Sequence, residues 1–207
     1  MNTKEELVKD LIADGYLKSS AFIEAFEKVD RGDFVPEEYK SRAYLNTALP
    51  LGHKQTVSQP LAVAFMLELL DLRAGEKILE IGTGSGWKTV LIGKLVGETG
   101  KVYSIERIEE IYNFAKQNIT RYGFLEKGTV ELILGGGFRG YGEQAPYDGI
   151  IASASVQEIP LIWKEQLKIG GKIVAPVKDS IIVIDKVAKD RFEQRQYFGF
   201  KFMPLVK

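Results

Sequence analysis

Apolar residues recur at the spacing of helix faces in three stretches of the first 70 residues. They predict a helix within residues 3–13, a second over residues 21–29 and a third that begins at Pro60. Proline suits the first turn of a helix, because the N–H that it lacks would have no helical partner there. Residues 37–60 have no clear period and are rich in hydroxyl and amide groups. We expect an irregular loop there, and loops of this length are often functional.

From residue 78 onwards, short β-favouring apolar runs alternate with stretches at helical spacing. Strands are predicted at residues 78–81, 101–106, 129–134, 147–152, 172–177, 181–187 and 191–202. Helices are predicted between the earlier strands, at residues 90–96, 108–119 and 161–167, and glycines 170–171 stop the last of them. This order predicts an α/β fold. It is a doubly wound, mostly parallel seven-stranded sheet with an N-terminal helical extension and a C-terminal antiparallel hairpin.

The first of these strands runs directly into a glycine-rich turn, with Gly82, Gly84 and Gly86 on alternate positions. Glycine can adopt positive φ and lets the backbone pass close to a ligand. Ligands of doubly wound sheets bind outside the carboxyl ends of the strands. The spacing GxGxG differs from the GxGxxG of dinucleotide-binding enzymes, and it favours S-adenosylmethionine (SAM). A glycine-rich turn without a ligand is the alternative.

Two further strands end in residues that suit the same ligand. Glu106 ends the second strand, where a carboxylate can accept hydrogen bonds from both ribose hydroxyls. An acid that caps the following helix is the alternative. The third strand stops at glycines 135–137. All three strand ends are expected at one edge of the sheet, so we predict the binding site there.

The composition of the chain argues against several classes of function. The length of 207 residues fits one domain, and 28 basic residues balance 28 acidic ones, which argues against a broad nucleic-acid-binding surface. Cysteine is absent and His53 is the single histidine, so thiol chemistry is excluded and a metal site is not expected. No apolar run reaches membrane-spanning length and the N-terminus lacks a signal-peptide pattern. We therefore expect a cytoplasmic protein that binds neither membrane nor nucleic acid.

Several segments together resemble the protein-L-isoaspartate O-methyltransferase family of SAM-dependent enzymes, over residues 20–206. GTGSG alone indicates only a SAM methyltransferase, whereas QTVSQP combined with VDRGDFVP is far more specific. The matching segments are VDRGDFVP (29–36), YLNTALPLGHKQTVSQP (44–60), ILEIGTGSGWKT (78–89), VYSIER (102–107), APYDGII (145–151), QLKIGGKIVAPV (166–177) and FKFMPL (200–205). The resemblance implies a Rossmann-like methyltransferase domain over residues 1–207, with helices and a lid in 1–60 and the SAM-binding core in 61–207.

The resemblance also implies the reaction and its residues. The chain would methylate the α-carboxylate of L-isoaspartyl residues in damaged peptides and proteins, releasing S-adenosyl-L-homocysteine and a methyl ester that closes to a succinimide. It would act as a monomer without a metal. Ser58 matches the family's active-site position, although an ordinary turn or N-cap hydroxyl is the alternative. The implied cofactor-binding residues are Gln55, Thr56, Val57, Glu80, Gly82, Thr83, Gly84, Ser85, Gly86, Glu106, Arg107, Gly135 and Gly136.

The chemistry agrees with a chain that offers no obvious general base. A carboxylate is already ionised near neutral pH and attacks the methyl group of a sulfonium directly. The protein's main task is then to align the reacting atoms, and Ser58 would orient the substrate carboxylate by donating a hydrogen bond. Asp148, in APYDGII, matches a strand position that we interpret as structural.

Departures from the family pattern lie near the ligands. Gly136 replaces an aspartate expected to accept a bond from the adenine amino group, Trp87 replaces a tyrosine, and residues 153–157 replace an alanine-rich segment. Two alternatives therefore stay open. One is a SAM methyltransferase with another substrate, and the other is a homologue with weakened or lost SAM binding.

Overall fold

The computed structural model describes residues 3–206, which form six helices around one large sheet and one small one. The helices are α1 (Lys4–Ala13), α2 (Ser20–Lys28), α3 (Pro60–Leu70), α4 (Trp87–Val96), α5 (Glu109–Thr120) and α6 (Leu161–Glu165). The strands are β1 (Leu49–Gly52), β2 (Gln55–Val57), β3 (Lys77–Ile81), β4 (Lys101–Glu106), β5 (Val130–Leu134), β6 (Tyr147–Ala152), β7 (Leu167–Val177), β8 (Ser180–Ala188) and β9 (Arg191–Phe198).

The large sheet has the order β5-β4-β3-β6-β7-β8-β9. The five strands β3 to β7 run parallel to one another. Strand β8 pairs antiparallel with both β7 and β9. The predicted doubly wound, mostly parallel seven-stranded sheet with a closing hairpin is therefore confirmed. The order reverses beside β3, the strand that carries the glycine turn, and such a reversal opens a crevice for ligands.

Both faces of the sheet are covered, which explains why β3 reads as a nearly continuous apolar run. Ile78 packs in the cluster that also contains buried residues of α1 to α5, whereas Leu79 and Ile81 pack in the cluster on the opposite face. Side chains alternate along a strand. Glu80 therefore lies on the face covered by α4, where it is fully buried.

The segment at residues 37–60 is more ordered than predicted. It contains a 3₁₀ turn at Glu37–Arg42 and an antiparallel hairpin, β1–β2. The turn between these strands is made by His53 and Lys54, both with positive φ (50° and 58°). Such tight hairpin turns usually carry Asn-Gly or Asp-Gly, so the His-Lys pair gave no turn signal.

The end of the chain also differs from the prediction. α6 ends at Glu165, and glycines 170–171 lie inside β7 instead of stopping a helix. The parallel register between β6 and β7 shifts there, and Gly170 has φ of 84°, so the glycines accommodate an irregularity within the strand. β9 ends at Phe198, four residues earlier than predicted. No helix within residues 3–206 is long and apolar enough to cross a bilayer.

Candidate active site

A cavity of about 670 Å³ lies at the carboxyl ends of β3, β4, β5 and β6. The glycine turn and the strand ends form its floor, and the β2–α3 connection forms one wall. Residues 198–206, which comprise the last residue of β9 and the segment after it, line another side. This last segment is fixed by two backbone hydrogen bonds of 2.7 Å between Ser155 and the residues Met203 and Leu205.

The glycines of the turn have different physical roles. Gly84 (φ 57°) lines the cavity, and a Cβ there would meet no atom within 4 Å, so its backbone faces open space. Gly86 (φ 87°) does not line the cavity, and its Cβ would lie 2.9 Å from Cγ1 of Ile119. Gly86 therefore allows α4 to start close against α5, while Gly84 leaves room for a ligand.

Glu106 lines the cavity beside the turn. Its Oε2 accepts a hydrogen bond from the Gly84 N–H (3.0 Å), and its Oε1 accepts from the N–H groups of Arg107 (2.9 Å) and Ile108 (3.0 Å). The carboxylate thus holds the glycine turn and the two residues just before α5, whose N-cap, Ile108, makes no side-chain capping hydrogen bond. A carboxylate has about four acceptor positions, which leaves capacity for a ligand hydroxyl.

Ser58 lies between β2 and α3 and lines the same cavity as Gln55 and Thr56. The N-cap of α3 is Gln59, so the N-cap alternative for Ser58 is wrong. Its hydroxyl has no hydrogen-bond partner among residues 3–206, although its carbonyl does. Val57 is buried and anchors the hairpin in a small apolar cluster with Leu49.

Arg31 holds the β2–α3 connection in place, a role that the sequence did not reveal. Its side chain is buried, and it donates four hydrogen bonds to backbone carbonyls. Nη1 donates to Ala43 (2.6 Å) and Leu45 (3.2 Å), while Nη2 donates to Thr47 (2.9 Å) and Ser58 (2.9 Å). The planar fork of a guanidinium suits such convergent acceptors. One side chain therefore fixes the carbonyl of the predicted catalytic serine.

The same guanidinium also packs against Trp87, a residue that lines the cavity. Its carbon lies 5.3 Å from the ring centroid of Trp87, the first residue of α4. Burial lowers the pKa of Arg31 to about 10, so the group stays charged at neutral pH and attracts the ring face. In the sequence, Arg31 lies within VDRGDFVP between Asp30 and Gly32, and nothing in that segment indicates contacts with residues 43–58.

A buried polar network supports the underside of the glycine turn. Oε2 of Glu80 accepts hydrogen bonds from the hydroxyls of Thr89 (2.5 Å) and Ser104 (2.7 Å), and the Ser104 and Thr83 oxygens lie 2.6 Å apart. Oε1 lies 3.6 Å from Nζ of Lys88, and both side chains are buried. Burial raises the pKa of Glu80, and the Lys88 ammonium opposes that rise.

The cavity contains most of the predicted cofactor residues, together with Ser58. Those that line it are Gln55, Thr56, Gly82, Thr83, Gly84, Ser85, Glu106, Arg107 and Gly135. Val57, Glu80, Gly86 and Gly136 lie outside the lining. Lys88 and Ser153 line it and were not predicted.

The charges around the cavity favour an anionic reactant. Among the described lining residues Glu106 is the one acid, whereas Lys88, Arg107 and Lys201 are basic. His53 lies in the exposed hairpin turn and does not line the cavity. Within residues 3–206, no group of three histidine, aspartate or glutamate residues could hold a metal ion.

Asp148 lies at the opposite edge of the sheet, near the start of β6. Its oxygens accept hydrogen bonds from the Lys77 N–H (2.8 Å) and from Nζ of Lys168 (2.7 Å). Both partners sit at the amino ends of their strands, away from the cavity. These contacts agree with the structural role expected for Asp148.

Comparisons with known proteins give one consistent result. The family model described as Protein-L-isoaspartate(D-aspartate) O-methyltransferase (PCMT) matches residues 2–207. A protein-L-isoaspartate O-methyltransferase of Methanopyrus kandleri is 40% identical over 207 residues, covering 98% of this chain and 91% of the relative. One from Methanothrix thermoacetophila is 43% identical over 206 residues, covering 98% and 94%.

Solved structures agree on the fold. A Plasmodium falciparum structure, described as a putative enzyme of this type in complex with S-adenosyl-L-homocysteine, superposes with a TM-score of 0.90 at 24% identity, covering 100% of this chain and 99% of that one. A second protein-L-isoaspartate O-methyltransferase superposes with a TM-score of 0.88 at 29% identity, covering 99% and 66%. The resemblance inferred from the motifs is confirmed: the chain belongs to the protein-L-isoaspartate(D-aspartate) O-methyltransferase family.

Proposed function

We propose that the cavity binds SAM together with an L-isoaspartyl residue, and that Ser58 orients the carboxylate that receives the methyl group. The chain is a SAM-dependent methyltransferase that acts on isoaspartyl residues of damaged proteins. Two observations support the assignment of Ser58: the residue lines the same cavity as the glycine turn, and its hydroxyl has no hydrogen-bond partner within the described chain. An unpaired hydroxyl at this position is available to a substrate.

The residues of the cavity fit SAM. Glu106 keeps acceptor capacity for a ribose hydroxyl, and a Cβ at Gly84 or Gly135 would project into open space. Trp87 lines the cavity, and its indole N–H is buried without a hydrogen-bond partner within the described residues. We propose that the predicted residues named above hold the cofactor, with Glu80 and Gly86 acting from beneath the turn.

SAM supplies a methyl group activated by a sulfonium. The substrate carboxylate needs no base, since it is ionised near neutral pH, and the lining offers no histidine. Ser58 donates a hydrogen bond that fixes the direction of the attacking oxygen, while its carbonyl is held by Arg31. The chain's contribution is the alignment of the reacting atoms. Closure of the resulting ester to a succinimide requires no residue of the protein.

Replacing Ser58 with alanine tests the assignment. We expect kcat/KM for an isoaspartyl peptide to fall about 10- to 100-fold, because a hydrogen bond to a charged group is lost. The dissociation constant for S-adenosyl-L-homocysteine, measured by calorimetry, should change less than twofold. Thr47→Ala, whose hydroxyl makes only a local 3.4 Å contact, is the control. Unchanged methylation by the Ser58 variant would contradict the proposal.

We further propose that residues 1–207 act as a monomeric single domain in the cytoplasm, on isoaspartyl peptides and proteins and without nucleic acid. The balanced charge supports the last point. Light scattering at micromolar concentration tests the monomer, and a dimer mass would contradict it.

A further inference from the structure

Lys88 is a buried lysine in the wall of the cavity. It is the second residue of α4, and its side chain is only 7% exposed. Both features disfavour a lysine, because burial penalises a charge and the N-terminus of a helix repels a cation. Positions where a sequence breaks local preferences are often functional.

The intramolecular partners of Lys88 leave its ammonium incompletely satisfied. Nζ donates one hydrogen bond, to Oγ of Ser153 at 2.6 Å. The distance of 3.6 Å to Oε1 of Glu80 is too long for a hydrogen bond. That oxygen itself is buried without a hydrogen-bond partner. An ammonium has three donors, so two have no hydrogen-bond acceptor within the described residues.

The ammonium lies on the side of the glycine turn opposite Glu106. Ser153 follows β6, whereas Glu106 ends β4, and β3 lies between these two strands. The Ser153 N–H donates to the carbonyl of Ile81 at 2.8 Å, which fixes Ser153 against the turn. If Glu106 binds the ribose, the Lys88 side of the cavity is left for the amino acid end of the cofactor and for the substrate.

We propose that Lys88 binds a carboxylate of the reactants, with Ser153 holding the ammonium in position. The inference rests on the proposed function, since both reactants carry a carboxylate. One is the amino acid carboxylate of the methyl donor, and the other is the α-carboxylate of the isoaspartyl residue. A carboxylate there would accept charge-assisted hydrogen bonds from the N–H donors that Ser153 and Glu80 leave free.

Three measurements, two of binding and one of kinetics, distinguish the two sources. S-adenosyl-L-homocysteine and 5′-methylthioadenosine, which lacks the amino acid portion, are titrated into wild type and Lys88→Gln by calorimetry. The KM for an isoaspartyl peptide is measured alongside. If Lys88 binds the donor, the variant binds S-adenosyl-L-homocysteine about tenfold or more weakly but 5′-methylthioadenosine equally well. If Lys88 binds the substrate, both affinities persist and the peptide KM rises about tenfold or more.

Further variants guard against indirect effects. Lys88→Gln leaves the Glu80 carboxylate buried without a cation, so Glu80→Gln/Lys88→Met, which removes both charges, is measured beside it. The double variant should show the same loss, and it decides the result if the single variant does not fold. Lys88→Arg, which keeps a cation, should restore part of the affinity. Lys94→Gln, on the same helix but outside the cavity, is the control.

The inference is overturned if wild type binds S-adenosyl-L-homocysteine and methylates the peptide while the Lys88 variants match it within twofold in all three quantities. A wild type that fails to bind or to methylate would overturn the proposed function as well. The two failures are therefore distinguishable.

Discussion

At the scale of single residues, Arg31 shows how one side chain can organise a loop. Its partners are four carbonyls and an aromatic ring, and its Nε is buried without a partner. No carboxylate within residues 3–206 forms an ion pair with it. The charge is therefore stabilised by oriented backbone dipoles, and those dipoles belong to the segment that leads to Ser58.

Removing the guanidinium should loosen this segment. We expect Arg31→Met to lower the free energy of unfolding by about 2–4 kcal/mol, because several buried carbonyls lose their donor. Arg31→Lys should recover stability only in part, since an ammonium cannot reach four acceptors in a fork. Urea denaturation measures both. The exposed Arg121→Lys should change stability by less than about 0.5 kcal/mol, and equal effects of the two lysine variants would contradict the role of Arg31.

Gly136 allows a direct test of the departure from the family pattern. Its φ is −81°, and a Cβ there would meet no atom within 4 Å, so an aspartate fits without strain. If the adenine amino group lies beside this residue, Gly136→Asp should tighten S-adenosyl-L-homocysteine binding about tenfold or more. Gly136→Ala adds the Cβ without the carboxylate and should leave the calorimetric affinity unchanged. Equal affinities for the two variants would show that the adenine lies elsewhere.

At the scale of elements, one glycine of the turn serves helix packing and another serves ligand binding. Gly86→Ala would bring a Cβ to within 2.9 Å of Ile119 at a positive φ, whereas Gly84→Ala would meet strain alone. We expect the Gly86 variant to lose about 2–4 kcal/mol of unfolding free energy and the Gly84 variant about 1 kcal/mol. The Gly84 variant should also bind S-adenosyl-L-homocysteine more weakly, because its Cβ would take up space beside the cavity. Thermal unfolding with and without ligand measures both, and the reverse ranking would contradict this division.

The elements also show which parts of the structure the sequence determines locally. The strands and helices of the βα units carry strong periodic signals, so β3, β4, α5 and β6 were predicted within about two residues. The β1–β2 hairpin was missed because His53 and Lys54 adopt positive φ through their surroundings and not through their type. Glycines 170–171 were misread because a strand irregularity and a helix stop use the same residue.

The residues of the site likewise fall into those that the sequence predicts and those that it does not. Gly84, Glu106 and Ser58 were predicted because strand ends and motifs point to them, and they line one cavity. Lys88 and Arg31 were not, because a lysine in a helix and an arginine in a turn usually face solvent. Only the packing of the whole chain buries them.

At the scale of the whole molecule, the N-terminal helices and the core share one apolar interior. Leu11 and Phe26 belong to the same buried cluster as Val90 and Ile151, and the rings of Phe26 and Trp87 meet edge to face at 5.6 Å. The proposed division at residue 60 is therefore one of function and not of folding.

This continuity predicts cooperative unfolding. We expect one calorimetric transition, with the calorimetric enthalpy equal to the van't Hoff enthalpy. Saturating S-adenosyl-L-homocysteine should shift the whole transition upwards by mass action. Two transitions, with only one of them responding to the ligand, would indicate that the helices and the core fold separately.

Methylation of an isoaspartyl carboxylate in this cavity can be measured as transfer of a labelled methyl group from SAM. Two peptides of identical sequence are compared, one with an L-isoaspartyl residue and the other with normal aspartate at the same position. We expect incorporation into the isoaspartyl peptide, in a base-labile ester, and none above background into the aspartyl peptide. Equal labelling of both peptides, or of neither while SAM binds, would contradict this expectation.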